Sequence, residues 1–207
     1  MQVISVKNSQ LKFENKWIIA ENQYSMENEP NMATLFTTSN GYIGVRGSFE
    51  EFGSLRIQGC YIRGLIDEIY ELMQPFPDNI YMKKYYFDEE KLKDFEKQES
   101  IINFADILLV RIKIGEETFY PWEGTIHYWK RYLDLENACL VREVRWENTN
   151  GDITYFKFER FASFDNDHIY CQRVTIAPEN HGKKIEILSG IDRRTKTNGQ
   201  RVTNEIS

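Results

Sequence analysis

The stretch FTTSNGYIGVRGSFEE, residues 36–51, decides the fold of this chain, because glycines recur in it between residues that favour strands. A nucleotide-binding loop needs its glycines where a strand turns into a helix N-terminus, so that free backbone N–H groups face phosphate. No amphipathic helix follows this stretch. Asn40-Gly41 is instead a strong signal for a tight turn, and Tyr42, Ile43 and Val45 are typical strand residues. The stretch therefore predicts a turn between two strands rather than a phosphate-binding loop.

The composition predicts one globular domain that is rich in sheet. The chain has 207 residues with 41% hydrophobic content, which is enough to bury a sizeable core. Aromatic residues make up 14% of the chain, and flat side chains pack well on pleated surfaces. We therefore expect little helix.

Hydrophobic alternation from residue 101 onward predicts a series of antiparallel strands. Val110, Ile112 and Ile114 alternate with charged residues, and the glycine at position 115 is expected to turn this strand into a hairpin. Residues 126–135 and 140–148 form the next expected pair. The predicted fold class is therefore mainly β, an antiparallel β-sandwich.

Further turn signals divide the rest of this region. Asn150-Gly151 is expected to turn the chain into a strand over residues 153–164, and residues 178–182 break the pattern before the next strand. The core candidates on the strand over 153–164 share one face; they are Phe156, Phe158, Ala162 and Phe164.

The N-terminal third is less regular. Residues 17–24 are expected to form a first strand, and the polar residues 27–31 are expected to break it. Residues 75–99 contain two prolines and a charged run, and we interpret them as an inserted loop with at most one short helix.

Several motifs resemble the N-terminal domain of glycoside hydrolase family 65, the maltose, kojibiose, nigerose and trehalose phosphorylases. Besides residues 36–51, the resemblance rests on GCYIRG (59–64), RYLDL (131–135), REVRW (142–146), ERFAS (159–163) and IEILSGID (185–192). It covers most of the chain. The resemblance implies a supersandwich of the galactose-mutarotase type over residues 1–207.

The resemblance also implies what the chain does. Such enzymes cleave an α-glucosidic disaccharide with phosphate and inversion, so they need one catalytic glutamic acid, with inorganic phosphate as co-substrate and no cofactor. In the family that acid lies in a following (α/α)6 barrel, whose helical periodicity is absent here. Asn198-Gly199 is an expected hairpin turn with little chain behind it. We therefore expect a C-terminally truncated accessory domain that is inactive alone and has no catalytic residue.

Residues 36–51 are here called the glycine-rich segment, and by resemblance its residues 37–47 face the barrel near the entrance of the active site. The candidate residues for this contact are Asn40, Gly41, Tyr42, Gly44, Arg46, Gly47 and Arg63. For Arg46 and Arg63, an ion pair inside the domain, with Glu50 or Asp67, is an equal alternative. The carboxylate pairs Glu50-Glu51 and Asp67-Glu68 are not expected to act as acid and base, because neighbours on a strand point to opposite faces and cannot flank one bond. Both pairs are expected to be solvated or to stabilise turns.

Two other functions stay open. One is a free-standing sandwich that binds carbohydrate on an aromatic cluster of Trp122, Tyr128, Trp129 and Tyr132, although alternating aromatics are more often core. The other keeps the family and makes the parent protein a trehalose-type hydrolase, which needs a water-activating base in the barrel.

Charge and cysteine usage limit the partners. The net charge of −6 argues against nucleic acid and anionic membranes, and no apolar run is long enough to cross a bilayer. The three cysteines and three histidines show neither disulfide nor metal-ligand spacing. We expect a cytoplasmic domain that dimerises, contacts the barrel of its own polypeptide and meets a disaccharide only in the full enzyme.

Overall fold

The structure is a computed structural model that describes residues 11–51, 58–69, 98–194, 196–197 and 200–201; for 67–69, 98–100, 196–197 and 200–201 it describes the backbone only. One short helix and many strands form in these ranges. In chain order they are β1 (Leu11–Phe13), β2 (Ile18–Glu21), α1 (Glu29–Leu35), β3 (Thr38–Ser39), β4 (Ile43–Val45), β5 (Cys60–Ile62), β6 (Ile66–Ile69), β7 (Gln98–Ile101), β8 (Val110–Ile114), β9 (Glu117–Thr118), β10 (Thr125–Asp134), β11 (Cys139–Glu147), β12 (Ile153–Ala162), β13 (Tyr170–Pro178), β14 (Ile185–Ser189), β15 (Lys196–Thr197) and β16 (Gln200–Arg201).

The largest sheet has six strands in the order β1-β2-β10-β11-β12-β13, and every neighbouring pair in it is antiparallel. Alternation along β12 and along β11 from Arg142 onward gives the sheet one buried face, the inner face, and one partly exposed face, the outer face. The turn between these two strands contains Gly151 at φ +81°, a left-handed conformation that glycine adopts without strain.

A three-stranded sheet in the order β14-β8-β9 lies over the inner face and completes a two-layered sandwich. Val110, Ile112 and Ile114 of β8 are buried in the main core, as the alternation predicted. Between the layers, the Phe119 ring stacks on Phe156 with a centroid distance of 4.1 Å. Burial of these large apolar side chains is the main favourable term for the fold.

Smaller sheets complete the architecture. One has the order β3-β4-β5 and has its own core of Ile43, Val45, Cys60 and Leu108; the pairs β6-β7 and β15-β16 are two-stranded. The prediction of a mainly antiparallel β-sandwich with little helix is confirmed.

The N-terminal predictions need correction. Strand β2 covers only part of residues 17–24, and β1 precedes it. Residues 27–31 are not a plain breaker, because α1 begins inside them at Glu29. Pro30 lies in the first helical turn, where a missing N–H costs no hydrogen bond. The helix forms because Met32 and Ala33 bury its inner side.

The core prediction for residues 153–164 is confirmed for Phe156, Phe158 and Ala162 and wrong for Phe164. Phe164 is 73% exposed. Strand β12 ends at Ala162, and the backbone N–H of Ser163 closes a turn by donating to the carbonyl of Ile169 at 2.9 Å. Phe164 therefore lies in a turn, where the alternation of the strand no longer sets its direction.

Two predictions fall largely outside the described residues. Of the predicted insertion over 75–99, only the backbone of Gln98 and Glu99 is described, and it begins β7. The predicted turn at Asn198-Gly199 is itself outside, but the residues on either side of it pair as β15 and β16. In the described ranges no helix has the length and hydropathy to cross a membrane.

The core assignment can be tested with two phenylalanines that lie eight positions apart in the sequence. We expect Phe156→Ala to lower the free energy of unfolding by about 3–5 kcal/mol, because it leaves a cavity between the two sheets. Phe164→Ala, the control, should change it by less than about 0.5 kcal/mol. Urea unfolding monitored by tryptophan fluorescence measures both values, and equal losses would contradict the assignment.

Candidate functional site

The turn between β3 and β4 is fixed by the side chain of Asn40. Its Oδ1 accepts hydrogen bonds from the backbone N–H groups of Tyr42 and Ile43, at 3.0 and 2.9 Å. Its Nδ2 donates to the backbone carbonyls of Ser163 and Asp167, at 2.6 and 2.9 Å. Asn40 therefore binds the predicted turn to the connection between β12 and β13.

The other residues of this turn have different roles. Gly41 has φ +89°, which explains why a glycine stands there. The Tyr42 ring packs on the His168 ring with a centroid distance of 4.1 Å. A Cβ on Gly44 would make only ordinary contacts, so neither space nor backbone conformation requires that glycine.

The two candidate arginines are placed differently. Arg46 donates to the carbonyl of Pro30 at 2.9 Å and to Thr34 Oγ1 at 2.7 Å, so its side chain binds α1. Gly59 makes room for it, because a Cβ there would lie 2.5 Å from Arg46 Cδ. Arg63 is exposed, and its backbone N–H donates to the carbonyl of Tyr42 at 2.8 Å. Its contact with a second domain stays a prediction.

Gly47 lies where the segment passes closest to the end of α1. Its N–H donates to the carbonyl of Ala33 at 2.7 Å, and a Cβ would lie 2.5 Å from Phe36 Cβ. Its carbonyl accepts from Arg131 at 3.1 Å. Only glycine fits this approach of backbone to backbone.

Three buried arginines hold the residues that follow Gly47. Arg131, Arg142 and Arg160, here called the arginine cluster, project from the inner face on β10, β11 and β12. Arg131 lies directly opposite Arg142, and Arg160 lies opposite Leu140, one strand further. The register of the large sheet therefore brings three positive charges together.

The prediction that Glu50 and Glu51 are solvated is wrong, because they are 2% and 1% exposed. Both bind the Arg142 guanidinium, Glu50 at 2.6 Å, and Glu50 also pairs with Arg160 at 3.0 Å. Residues 46–51 lie outside any strand, so the two neighbours need not point to opposite faces. Glu50 thus pairs with Arg142 and Arg160, while Arg46 binds helix α1 instead.

Arg131 and Arg160 extend the network. Arg131 pairs with Glu21 at 2.8 Å and with Glu29 at 2.8 Å. Arg160 donates to the carbonyl of Ser48 at 2.6 Å. Together with the bond to Gly47, this contact fixes two successive carbonyls of the segment. The arginine cluster therefore holds the backbone as well as the carboxylates.

Aromatic rings cover the guanidinium planes. Phe49 lies between two of them, with 4.9 Å from its ring centroid to Arg131 Cζ and 5.0 Å to Arg142 Cζ. Arg142 Cζ is also 4.0 Å from the Phe158 ring centroid. Arginine packs well in this way because its planar cation is weakly hydrated and attracted to the ring face.

The site holds four glutamates against three arginines, and burial raises the pKa of several of these glutamates. Burial raises the pKa of Glu29 to about 7, although Arg131 opposes the rise. Burial also raises the pKa of Glu21 and of Glu51, against the attraction of Arg131 and Arg142 respectively. One bound proton balances the charges of the seven side chains, and Glu29, with a pKa of about 7, can hold a proton near neutral pH.

This arrangement is suited to structure rather than to acid–base chemistry. The gap between the arginine cluster and residues 47–50 leaves no room for a water molecule. A general acid or base must reach a substrate proton, and these carboxylates cannot. Among the described residues, no group of His, Cys, Asp or Glu side chains is placed to hold a metal ion. The side chains of Asp67 and Glu68 lie outside the described part.

The four predicted aromatics do not form one cluster. Trp129 is buried in the main core, and Trp122 is half-buried against it. Tyr128 and Tyr132 alternate with Trp129 and therefore lie on the outer face of the sheet. The core interpretation is right for the tryptophans only.

The cysteines and histidines lie in surroundings that are ordinary for these side chains. Cys60 is buried, which raises its thiol pKa to about 11, and the other two cysteines are half-buried and free. His127 pairs with Glu147, and His181 hydrogen-bonds Thr154.

We expect Arg142→Met to destabilise the 207-residue chain by about 3–5 kcal/mol at pH 8, because Glu50 and Glu51 lose their shared cation. Arg145→Met is the matched control, since Arg145 is three residues away on β11 and pairs with Glu179 on the exposed outer face. The control should cost no more than about 1 kcal/mol. Urea unfolding compares the two, and equal losses would contradict a structural role for the arginine cluster.

Glu29→Gln should change how stability depends on pH. The folded-state pKa of Glu29 is about 7, above the ordinary value of 4.5 for a glutamate, so folding binds a proton between these values and stability falls as pH rises through them. The difference in unfolding free energy, wild type minus variant, should therefore fall by on the order of 3 kcal/mol between pH 4.5 and 7. It should stay constant above that range. Parallel curves across pH 5–8 would refute the assignment.

Comparison with known proteins gives the family. The chain matches the description "Glycosyl hydrolase family 65, N-terminal domain" over residues 19–207. It is 56% identical over 194 residues to the 3-O-alpha-D-glucosyl-L-rhamnose phosphorylase of Lachnoclostridium phytofermentans, covering 94% of this chain and 26% of that protein. It is 30% identical over 183 residues to the kojibiose phosphorylase of Halothermothrix orenii, covering 88% of this chain and 20% of that protein.

A solved structure from the human microbiome, provisionally named a kojibiose phosphorylase, has the same fold with a TM-score of 0.75 and 19% identity. The match covers 92% of this chain and 23% of that one. This chain thus spans about a fifth to a quarter of the length of the relatives named here. Together with the sandwich described above, the match over most of the chain confirms the resemblance, and the chain belongs to glycosyl hydrolase family 65, as its N-terminal domain.

Proposed function

We propose that this chain is the accessory domain of an inverting disaccharide phosphorylase. The parent enzyme would transfer glucose from an α-glucosidic disaccharide to phosphate, releasing β-glucose 1-phosphate. The observation that carries the proposal is 56% identity over 94% of the chain to a protein named as a glucosyl-rhamnose phosphorylase. Glucosyl-rhamnose is therefore the first substrate to test, before maltose or kojibiose.

The catalytic step belongs to the parent enzyme. A phosphate oxygen would form the new bond to the anomeric carbon while the glycosidic bond breaks, and one acid would protonate the leaving oxygen. Phosphate replaces the activated water, so a second carboxylate is not required and no cofactor is involved. The relatives with the highest identities here carry phosphorylase names, which favours this reaction over trehalose-type hydrolysis.

The role of the domain follows from how residues 37–51 are held. Asn40 binds the β3–β4 turn to one neighbouring connection, and the arginine cluster fixes the carbonyls of Gly47 and Ser48. A rigid segment of this kind can shape the entrance of an active site without taking part in the chemistry. The exposed Arg63 is the side chain best placed to contact a catalytic barrel, and a cytoplasmic homodimer is the proposed assembly.

A domain exchange tests the proposal. The corresponding domain of the Lachnoclostridium phytofermentans phosphorylase is replaced by this chain, and phosphorolysis of 3-O-α-D-glucosyl-L-rhamnose is measured. We expect the chimera to be active, while the 207-residue chain alone releases no β-glucose 1-phosphate from any of the tested disaccharides. The chimera with Arg63→Ala should lose activity without losing stability.

Arg111→Ala serves as the control for the exchange, because Arg111 is an exposed arginine on β8, outside the glycine-rich segment. A folded chimera without activity would contradict the equivalence of the two domains. Turnover by the isolated chain would contradict its accessory role.

A further inference from the structure

The outer face of the large sheet carries a patch of tyrosines around one carboxylate. Cross-strand register places Tyr128, Arg145 and Tyr155 in one row across β10, β11 and β12. The next row along the strands contains Glu143 between two lysines, Lys130 and Lys157. Neither the arginine cluster nor the glycine-rich segment uses this face.

Glu143 is the centre of the patch. It is half-buried, and its Oε1 accepts a hydrogen bond from the Tyr155 hydroxyl at 2.6 Å. Burial raises the pKa of Tyr128 and also that of Tyr132, and the charge of Glu143 adds to both shifts. These hydroxyls therefore stay protonated near neutral pH and can donate hydrogen bonds.

The charges around Glu143 limit what can bind. Lys130 pairs with Glu14 at 2.6 Å, and Lys157 pairs with Glu159 at 3.0 Å, whereas the Glu143 carboxylate interacts with the hydroxyls of Tyr155 and Tyr128. Both lysines are neutralised by their own glutamates, so Glu143 dominates the local charge; it repels an anionic ligand and accepts hydrogen bonds from hydroxyl donors. A neutral ligand with hydroxyl donors complements this arrangement.

The exposed ring supplies the second contact. Tyr128 is 44% exposed. The C–H bonds on one face of a sugar ring carry partial positive charge, and they pack on the negative face of an aromatic ring. Carboxylate oxygens and tyrosine hydroxyls can bond the hydroxyls at the sugar edge.

We propose that Tyr128, Tyr155 and Glu143 form a binding surface for a neutral saccharide, with a sugar ring on Tyr128 and sugar hydroxyls donating to Glu143. Its location is independent of the proposed function, whereas the choice of α-glucosides as the first ligands rests on that function. The surface does not coincide with the predicted entrance segment, and it contains neither tryptophan of the predicted aromatic cluster.

The test is a titration of the 207-residue chain, labelled on its tyrosine rings, followed by NMR. The probes are maltose, kojibiose, 3-O-α-D-glucosyl-L-rhamnose and the β-linked cellobiose. We expect saturable shifts of Tyr128 and Tyr155 with a dissociation constant on the order of a millimolar. Tyr128→Ala and Glu143→Gln should each weaken binding by about fivefold or more.

Phe161→Ala is the matched control, because Phe161 is a similarly exposed aromatic on the same face, six residues or about 20 Å from Tyr155 along β12. It should leave the affinity unchanged. Unfolding curves for each variant separate lost binding from lost fold.

Three results would overturn the proposal: no shift with any sugar at 20 millimolar or so, equal weakening by the control, or tyrosine shifts that follow protein concentration instead of sugar. The last result would assign the face to a second copy of the chain. Binding of cellobiose alone would support the surface and count against the proposed function, so the two failures are distinguishable.

Discussion

Three arginines on adjacent strands of the large sheet are buried with four glutamates, and the gap between the arginines and residues 47–50 is too small for a water molecule. Removing one partner of such a pair leaves a charge with no solvent to stabilise it, which costs more than the pair itself contributes. The acids come from β2, the start of α1 and residues 50–51, and the arginines come from β10, β11 and β12. Helix, glycine-rich segment and sheet are therefore fixed by the same set of contacts, so these contacts determine where the segment lies.

Much of the fold was accessible from local patterns. The alternation of apolar and polar residues identified β8 and the long strands β10 to β12, because in a sheet with one buried face every second residue of a strand is apolar. Asn-Gly and glycine turns marked their connections. The short helix α1 was missed, since its polar first turn resembles a loop and its stability comes from burying Met32 and Ala33 rather than from helix propensity. Phe164 was misplaced because alternation says nothing about where a strand ends.

The candidate site was only partly accessible. The Asn40-Gly41 turn and the tight position of Gly47 follow from the glycine pattern, but the arginine cluster was not predicted. The sequence does contain a signal for it. Each arginine lies two positions from a large apolar residue on its strand and therefore points to the same face; the pairs are Arg131 with Trp129, Arg142 with Val144 and Arg160 with Phe158. An arginine on the buried face of a strand needs an acidic partner, because an unpaired charge is costly to bury. Which acid it meets depends on tertiary contacts, so sequence spacing could not assign Glu50 or Glu29 to it.

The order of the charged partners along the chain has a consequence for biosynthesis. Each of the four glutamates precedes residue 52, and each of the three arginines follows residue 130; Arg131 lies 110 positions after Glu21. A ribosome therefore makes the acids well before their counterions emerge. The last of these cations, Arg160, is translated with β12, so the full set of contacts that holds the glycine-rich segment cannot form before then. Docking of that segment is therefore a late event in the maturation of the nascent domain.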